Sequence, residues 1–286
     1  MDRARGVVRG KSAPVLSEFA GHLHLEAAPR ADGRTVLARQ SFRAPFHLGK
    51  SYWEEGVLQV RVVNATAGIL AGDRLELAIR VHAGAALLVM TPAATRAFMM
   101  RRGAAECRQT FVVEPGGWLE YAPEPLFPHR ESDYAQTTRL EISDRAELYY
   151  ADALAPGRAS RGEVWAWRSL RMSLDVVLGG KLVLRERLAG TGAALGRRAA
   201  FFGTGEAWFG TVIAISPKIG SDDSLEGRLR SFQDSGRWVG ASRLRRGGWI
   251  IRIVASDGQS LRDALAGLRQ LFAETLPQLH SNLRRL

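Results

Sequence analysis

Four stretches of this chain share one pattern, and that pattern restricts the fold more than any other feature. They are LAIRVHAGAALLV (residues 77–89), TFVVEPGGWLEY (110–121), RLEISDRAELYY (139–150) and SLDVVLGGKLVL (173–184). Each reads as an alternating apolar strand, a small turn and a second apolar strand. With the turns superposed, Leu87, Leu119, Leu148 and Leu182 coincide, at spacings of 32, 29 and 34 residues. Val81, Val113, Ile142 and Val176 coincide as well. The turns at Ala83-Gly84, Pro115-Gly116, Asp144-Arg145 and Gly179-Gly180 carry residue types that suit a tight reversal. Period-two alternation buries one face of a strand. A unit of about 30 residues cannot bury that face alone, so neighbours must stack. The prediction is an all-β body with a C-terminal helix, built of stacked, β-helix-like layers of antiparallel or mixed strands. A β-sandwich, with four similar hairpins paired face to face, is the alternative. The four aligned leucines should all be buried.

The flanks add elements of the same kind. HLHLEAAPRADGRTVLARQSF (22–42) reads as a hairpin turning at Asp32-Gly33. EAWFGTVIAIS (206–216) and GWIIRIV (248–254) read as strands, with a short helix between them over 224–235. A longer helix closes the chain. Ser260 is its expected cap, with Asp263 three residues on as in a capping box. Leu261, Leu265, Leu268 and Phe272 form its apolar stripe, and Arg262 and Arg269 fall on the other face. The helix is expected to cover one end of the stack.

The 286 residues show no low-complexity segment or linker, so one domain over 1–286 is expected, with 1–20 as a flexible tail. A single cysteine, Cys107, rules out an internal disulfide and suits a reducing compartment. The basic N-terminus leads into no apolar run of signal-peptide type, and no apolar stretch is long enough for a bilayer. A cytoplasmic protein without membrane contact is expected. The net charge of +11 raises nucleic acid as a partner. Yet the basic residues are scattered and almost all are Arg, which reads as solvated surface charge or a dock for an acidic protein.

Common catalytic signatures are absent from the sequence: there is no P-loop, no nucleophile elbow and no HExxH. Cys107, at a strand start, reads as a small buried hydrophobe. His22 and His24 share one side of a strand and read as surface or structural histidines. His129 sits beside Glu131 and Asp133 in a Pro-rich loop, a better group of metal-capable side chains. Asp73 follows Gly72 at a strand entry, and Glu163 follows Gly162 between arginines. A carboxylate beside glycine is accessible to an ion. From the chemistry alone, a turn residue paired with a nearby Arg is the favoured reading at either one.

Six blocks in order then resemble one family. They are GRTVLARQSFRAPFHLGKSYW (33–53), ILAGDRLEL (69–77), AALLVMTPAATRAF (85–98), WLEYAPEPLFPHRESDYAQTTRLEI (118–142), PGRASRGEVW (156–165) and GWIIRIVASDGQSLRDALAGLRQLF (248–272). Together they resemble the UreD (UreH) urease accessory proteins. The chain departs from that pattern at Asn64-Ala65-Thr66-Ala67, where the family often has glycines, and at Phe98-Met99-Met100, where it commonly has Tyr.

The resemblance implies a mostly-β stacked scaffold and no enzyme. Such a scaffold binds the urease apoprotein with UreF and the GTPase UreG, and passes Ni²⁺ transiently to the urease site, with no tightly bound cofactor. On that basis Glu163, Asp73, Asp152 and His129 are the candidate nickel-path residues. Phe98, Met99, Met100, Arg101 and Arg102, an apolar run before a basic pair, are the candidate partner contacts. The chain alone should then be prone to aggregate without a UreF-like partner. Two rival classes stay open. One is a β-scaffold hydrolase using Glu163 and Asp73 as acid and base. The other is a carbohydrate- or nucleic-acid-binding β module, which requires Trp53, Trp118, Trp165 and Trp167 on one exposed face.

Overall fold

A computed structural model describes residues 20–220 and 224–283. The expectation of a flexible 1–20 tail falls on residues 1–19, outside that range, apart from Ala20, which begins a strand. Two sheets face each other, one of seven strands and one of eleven.

The first three repeats cross from one sheet to the other. Arg74–Val81, Ala105–Val113 and Asp133–Ile142 lie side by side and parallel in the seven-stranded sheet. Their continuations, Ala86–Met90, Trp118–Ala122 and Glu147–Leu154, lie parallel in the larger sheet. Each crossing is a four-residue corner closed by the same backbone bond: Ala85 N to His82 O, Gly117 N to Glu114 O, and Ala146 N to Ser143 O. The third corner residue has positive φ in each case, at Gly84, Gly116 and Arg145. The registers follow the sequence alignment. Val81, Val113 and Ile142 are laddered neighbours, and so are Leu87, Leu119 and Leu148. Successive units thus add parallel strands to both sheets, which is the stacked coil and not a set of hairpins pressed together.

The fourth unit breaks the pattern. Only Gly179 and Gly180 separate Ser169–Leu178 from Lys181–Gly190, and both have positive φ. That is the signature of a tight hairpin with a primed turn. The chain therefore reverses within the seven-stranded sheet instead of crossing over. Ile142 pairs with Leu178, so the fourth unit is out of the aligned register by two residues. Leu182 lands opposite the outward Val177 and is 48% exposed, contrary to expectation, while Leu87, Leu119 and Leu148 are fully buried.

The N-terminal hairpin forms as expected, with Ala20–Pro29 antiparallel to Thr35–Arg43. Trp208–Ile215 and Trp249–Ala255 extend the larger sheet, and a short helix spans Ser224–Arg230. The helix Gly258–Ala273 is capped by Asp257, whose carboxylate accepts from the backbone N–H of Gln259 and Ser260. The cap thus lies three residues before the expected Ser260, whose own hydroxyl bonds Asp257. Nor does this helix cover an end of the stack. It packs Leu261, Ala264, Leu268 and Phe272 on the outer face of the larger sheet, against Tyr149, Val212 and Ile251.

Arg269 does not face solvent. It forms a two-pronged ion pair with Glu120, which is fully buried on the helix side of Trp118–Ala122, at 2.6 and 3.0 Å. Burial pushes the Glu120 carboxyl above its usual range, and Arg269 pulls it partly back. Replacing one member of such a buried pair strands the other. Arg269→Ala is expected to lower unfolding stability by about 3–5 kcal/mol near neutral pH. The deficit should shrink in acid, where Glu120 enters the fold protonated. Leu148→Ala should cost about 2–5 kcal/mol, and Leu182→Ala under about 0.5 kcal/mol. Urea denaturation of the variants measures all three, and equal costs for the two leucines would contradict the register described here.

Candidate functional site

Alternation along each strand sends one set of side chains into the space between the sheets. At the corner end that space is filled by one apolar cluster, with Val81, Leu87, Phe111, Leu119 and Leu148. At the other end a second apolar cluster includes Ile69, Leu75, Leu126 and Leu170. Between them runs a row of polar residues at positions whose parity is that of the core. On the seven-stranded sheet Tyr134 donates to Gln136 at 3.0 Å, Gln136 donates to Thr138 at 3.5 Å, and Thr138 donates to Gln109 at 3.0 Å. On the facing sheet the Tyr150 hydroxyl donates to Asp152 at 2.9 Å. Thr211 also bonds Asp152 and takes a hydrogen bond from Arg252. Arg252 then reaches back across the gap to Glu186 at 2.5 Å.

Two cavities flank this seam. The first, about 260 Å³, opens among Asn64, Thr66, Thr91 and Glu124, with Cys107 and Gln109 deeper in its wall. The second, about 250 Å³, ends at Glu186 and Arg252. Gln136, Asp152 and Met172 line both, so the two spaces meet at Asp152. Asp152 lies between the sheets, and its remaining accessible surface faces these cavities. Burial pushes its carboxyl above the usual range, with Tyr150, Arg252 and Thr211 pulling partly back. Cys107 is buried, as expected of a small core residue, and burial pushes its thiol up to about 11.

The other candidates stand elsewhere. Asp73 is buried, and its carboxylate accepts from Leu70 N at 2.8 Å inside the loop it closes. Glu163 is gripped by Arg158 at 2.6 and 2.9 Å, which holds its carboxyl below the ordinary range. His129 is buried against the Phe98 ring, with centroids 4.8 Å apart. Burial and the nearby Arg158 hold its imidazole below the usual value. These side chains shape the loops at one end of the stack and do not line either cavity. Asp73 and Glu163 are thus engaged separately, not as the close carboxylate pair a hydrolase reading requires. The exposed tryptophan face fails as well, because Trp118 and Trp167 are buried. Among the partner candidates, Met100 is buried core and Phe98 is half-buried. Met99, Arg101 and Arg102 are exposed. Among the described residues no group of three or more His, Cys, Asp or Glu stands ready to hold a metal ion.

A family model described as UreD urease accessory protein matches residues 20–286. A urease accessory protein UreD from Opitutus terrae is 49% identical over 272 residues, covering 94% of this chain and 100% of that protein. The chain belongs to the UreD family of urease accessory proteins. UreD of Acetivibrio thermocellus is 24% identical over 84% of this chain and 93% of its own. UreD of Yersinia pseudotuberculosis is 34% identical over 54% of each.

The seam residues other than Asp152 were not picked out from the sequence. Their signal was parity: Gln109 lies between Cys107 and Phe111, Thr211 between Phe209 and Ile213, and Arg252 between Ile250 and Val254, each at a two-residue step. A polar residue at a core parity position is costly to the fold unless partnered. A carboxyl with a raised folded pKa contributes stability in acid that is lost as pH rises through that pKa. The wild-type chain should therefore lose stability as pH climbs past the ordinary Asp range. Asp152→Asn should flatten that decline and be at least as stable at neutral pH, as read by urea denaturation across pH.

Proposed function

We propose that this chain is a scaffold for urease maturation. It binds the urease apoprotein together with UreF and UreG, and Ni²⁺ crosses it between the sheets past Asp152. The observation that carries this reading is a single ionisable carboxylate where two internal cavities meet. Around it stand hydroxyl and amide oxygens from Tyr150, Thr211 and Gln136. A single carboxylate with neutral oxygen donors holds a dication loosely, as a relay must, whereas thiolates or several imidazoles would retain nickel. Asp73, Glu163 and His129 serve this path indirectly, by fixing the loops around one end of the stack. No helix among the described residues is long and apolar enough to cross a membrane.

The partner surface is assigned to Met99 and Leu70, which are 44% and 48% exposed. They come from segments joined by the Phe98 N–H to Ile69 O bond, and exposed Arg101 and Arg102 follow Met99. An apolar centre with a basic rim suits an acidic protein partner, and salt should slow the docking.

The test is urease activation in cells that carry the complete maturation set. Asp152→Asn should lower activation at limiting nickel by about tenfold or more, while the variant still co-purifies with its partners. Glu163→Gln should reduce activation less. Normal activation by Asp152→Asn at limiting nickel would remove the passage reading.

A further inference from the structure

Arg252 is an unusual residue for its position. It projects inward from Trp249–Ala255, on the same face as Ile250, whose side chain belongs to the core between the sheets. An inward guanidinium is costly to bury unless it is paired. Here it is held from both walls: Glu186 belongs to the seven-stranded sheet and Thr211 to the larger one. The Glu186 and Arg252 side chains are 38% and 40% exposed, so the pair stands where the second cavity meets the surface. The neighbouring Arg187 turns outward, to Asp175 at 2.8 Å. Thr211 links the guanidinium to Asp152 through one hydroxyl.

Electrostatics then ties Arg252 to whatever cation reaches Asp152. The guanidinium supplies positive charge to a carboxylate whose accessible surface faces the two cavities. A monovalent cation arriving there gains little over the charge already present. A divalent cation doubles the attraction and repels Arg252. Glu186 gives Arg252 a counter-charge to fall back on, so its displacement strands no buried charge.

We propose that Arg252 is a tethered counter-ion for Asp152, which a divalent cation must displace, so that the passage releases metal instead of retaining it. This rests on the passage reading above. The competition subtracts from the intrinsic affinity of the carboxylate for the ion, and the bound dication is ejected when the guanidinium returns. Arg252 acts through Asp152 and is a positioning residue, not a ligand.

Titration calorimetry of the full-length chain with NiCl₂ near neutral pH tests this directly. Arg252→Met removes the charge and keeps the bulk, and should bind Ni²⁺ about tenfold or more tightly than wild type. Arg252→Gln, which can still bond Thr211, should show the same gain if the Met variant folds poorly. Arg252→Lys keeps the charge and should retain the weak affinity. Adding Asp152→Asn to Arg252→Met should erase the gain. In cells, Arg252→Met should then lower urease activation at limiting nickel and recover with excess. Unchanged nickel affinity in both Arg252→Met and Arg252→Gln, or a gain that survives Asp152→Asn, overturns the counter-ion role. The two readings fail separately. Normal activation by Asp152→Asn removes the passage itself. Loss of activation by Asp152→Asn with unchanged affinity in the Arg252 variants leaves the passage standing and removes only the counter-ion.

Discussion

The length of a corner governs this molecule. Two residues between strands close an antiparallel hairpin in one sheet, whereas a parallel neighbour requires the chain to leave and return. Four residues at 82–85, 114–117 and 143–146 carry the chain from one sheet to the other, and the following segment brings it back one strand further along. Three such crossings set two parallel ladders face to face. The pair Gly179-Gly180 then ends the coil with a hairpin, after which Trp208–Ile215 and Trp249–Ala255 continue the larger sheet antiparallel. Because the ladders are parallel and in register, like positions stack along the axis. A polar residue at the same depth in successive strands therefore becomes part of a row that runs along the stack.

That row runs against what stability alone selects. Residues at core parity are apolar toward the corners and apolar again toward the opposite end. Between those layers the hydroxyls and amides of Thr138, Gln109 and Gln136 satisfy one another. Asp152 is bonded by Tyr150 and Thr211 of its own sheet, and Arg252 is held by Thr211 and, across the gap, by Glu186. The buried Glu120–Arg269 pair has a different role. It lies outside the sandwich and fixes the last helix, with Arg269 also bonding Ser281 at 2.9 Å. The buried Glu120–Arg269 pair is a clamp, and the part-exposed Glu186–Arg252 pair borders a cavity.

Much of the fold was legible in the sequence because the repeat and the turn residues express the same geometry. The three crossing corners and their registers follow from aligning Leu87, Leu119 and Leu148. The fourth unit looked alike because alternation is the same in a crossing and in a hairpin; the difference is that Val177 and Leu178 stay in the strand instead of opening a corner. The helix was found, but its cap was misplaced, since Asp257 and Ser260 are both good caps and only the backbone decides between them. Arg269 was placed in solvent because helical periodicity does not show that Glu120, 149 residues away, awaits it. The site was legible only in part. Glycine-flanked Asp73 and Glu163 resembled accessible ligands, yet each is a loop clamp. Asp152 was named through the resemblance alone, and its neighbours share a parity that becomes a cavity lining only when facing strands are known.

Membership of the UreD family makes this architecture that of a urease accessory protein. The central claim is that a divalent cation occupies the interior at Asp152 during transit. Diffraction from nickel-soaked crystals, recorded at the nickel absorption edge, tests it most directly. The account requires an anomalous peak between the sheets beside the Asp152 carboxylate. Peaks confined to surface groups such as His22 and His24, with none along the seam at any nickel concentration, would contradict it.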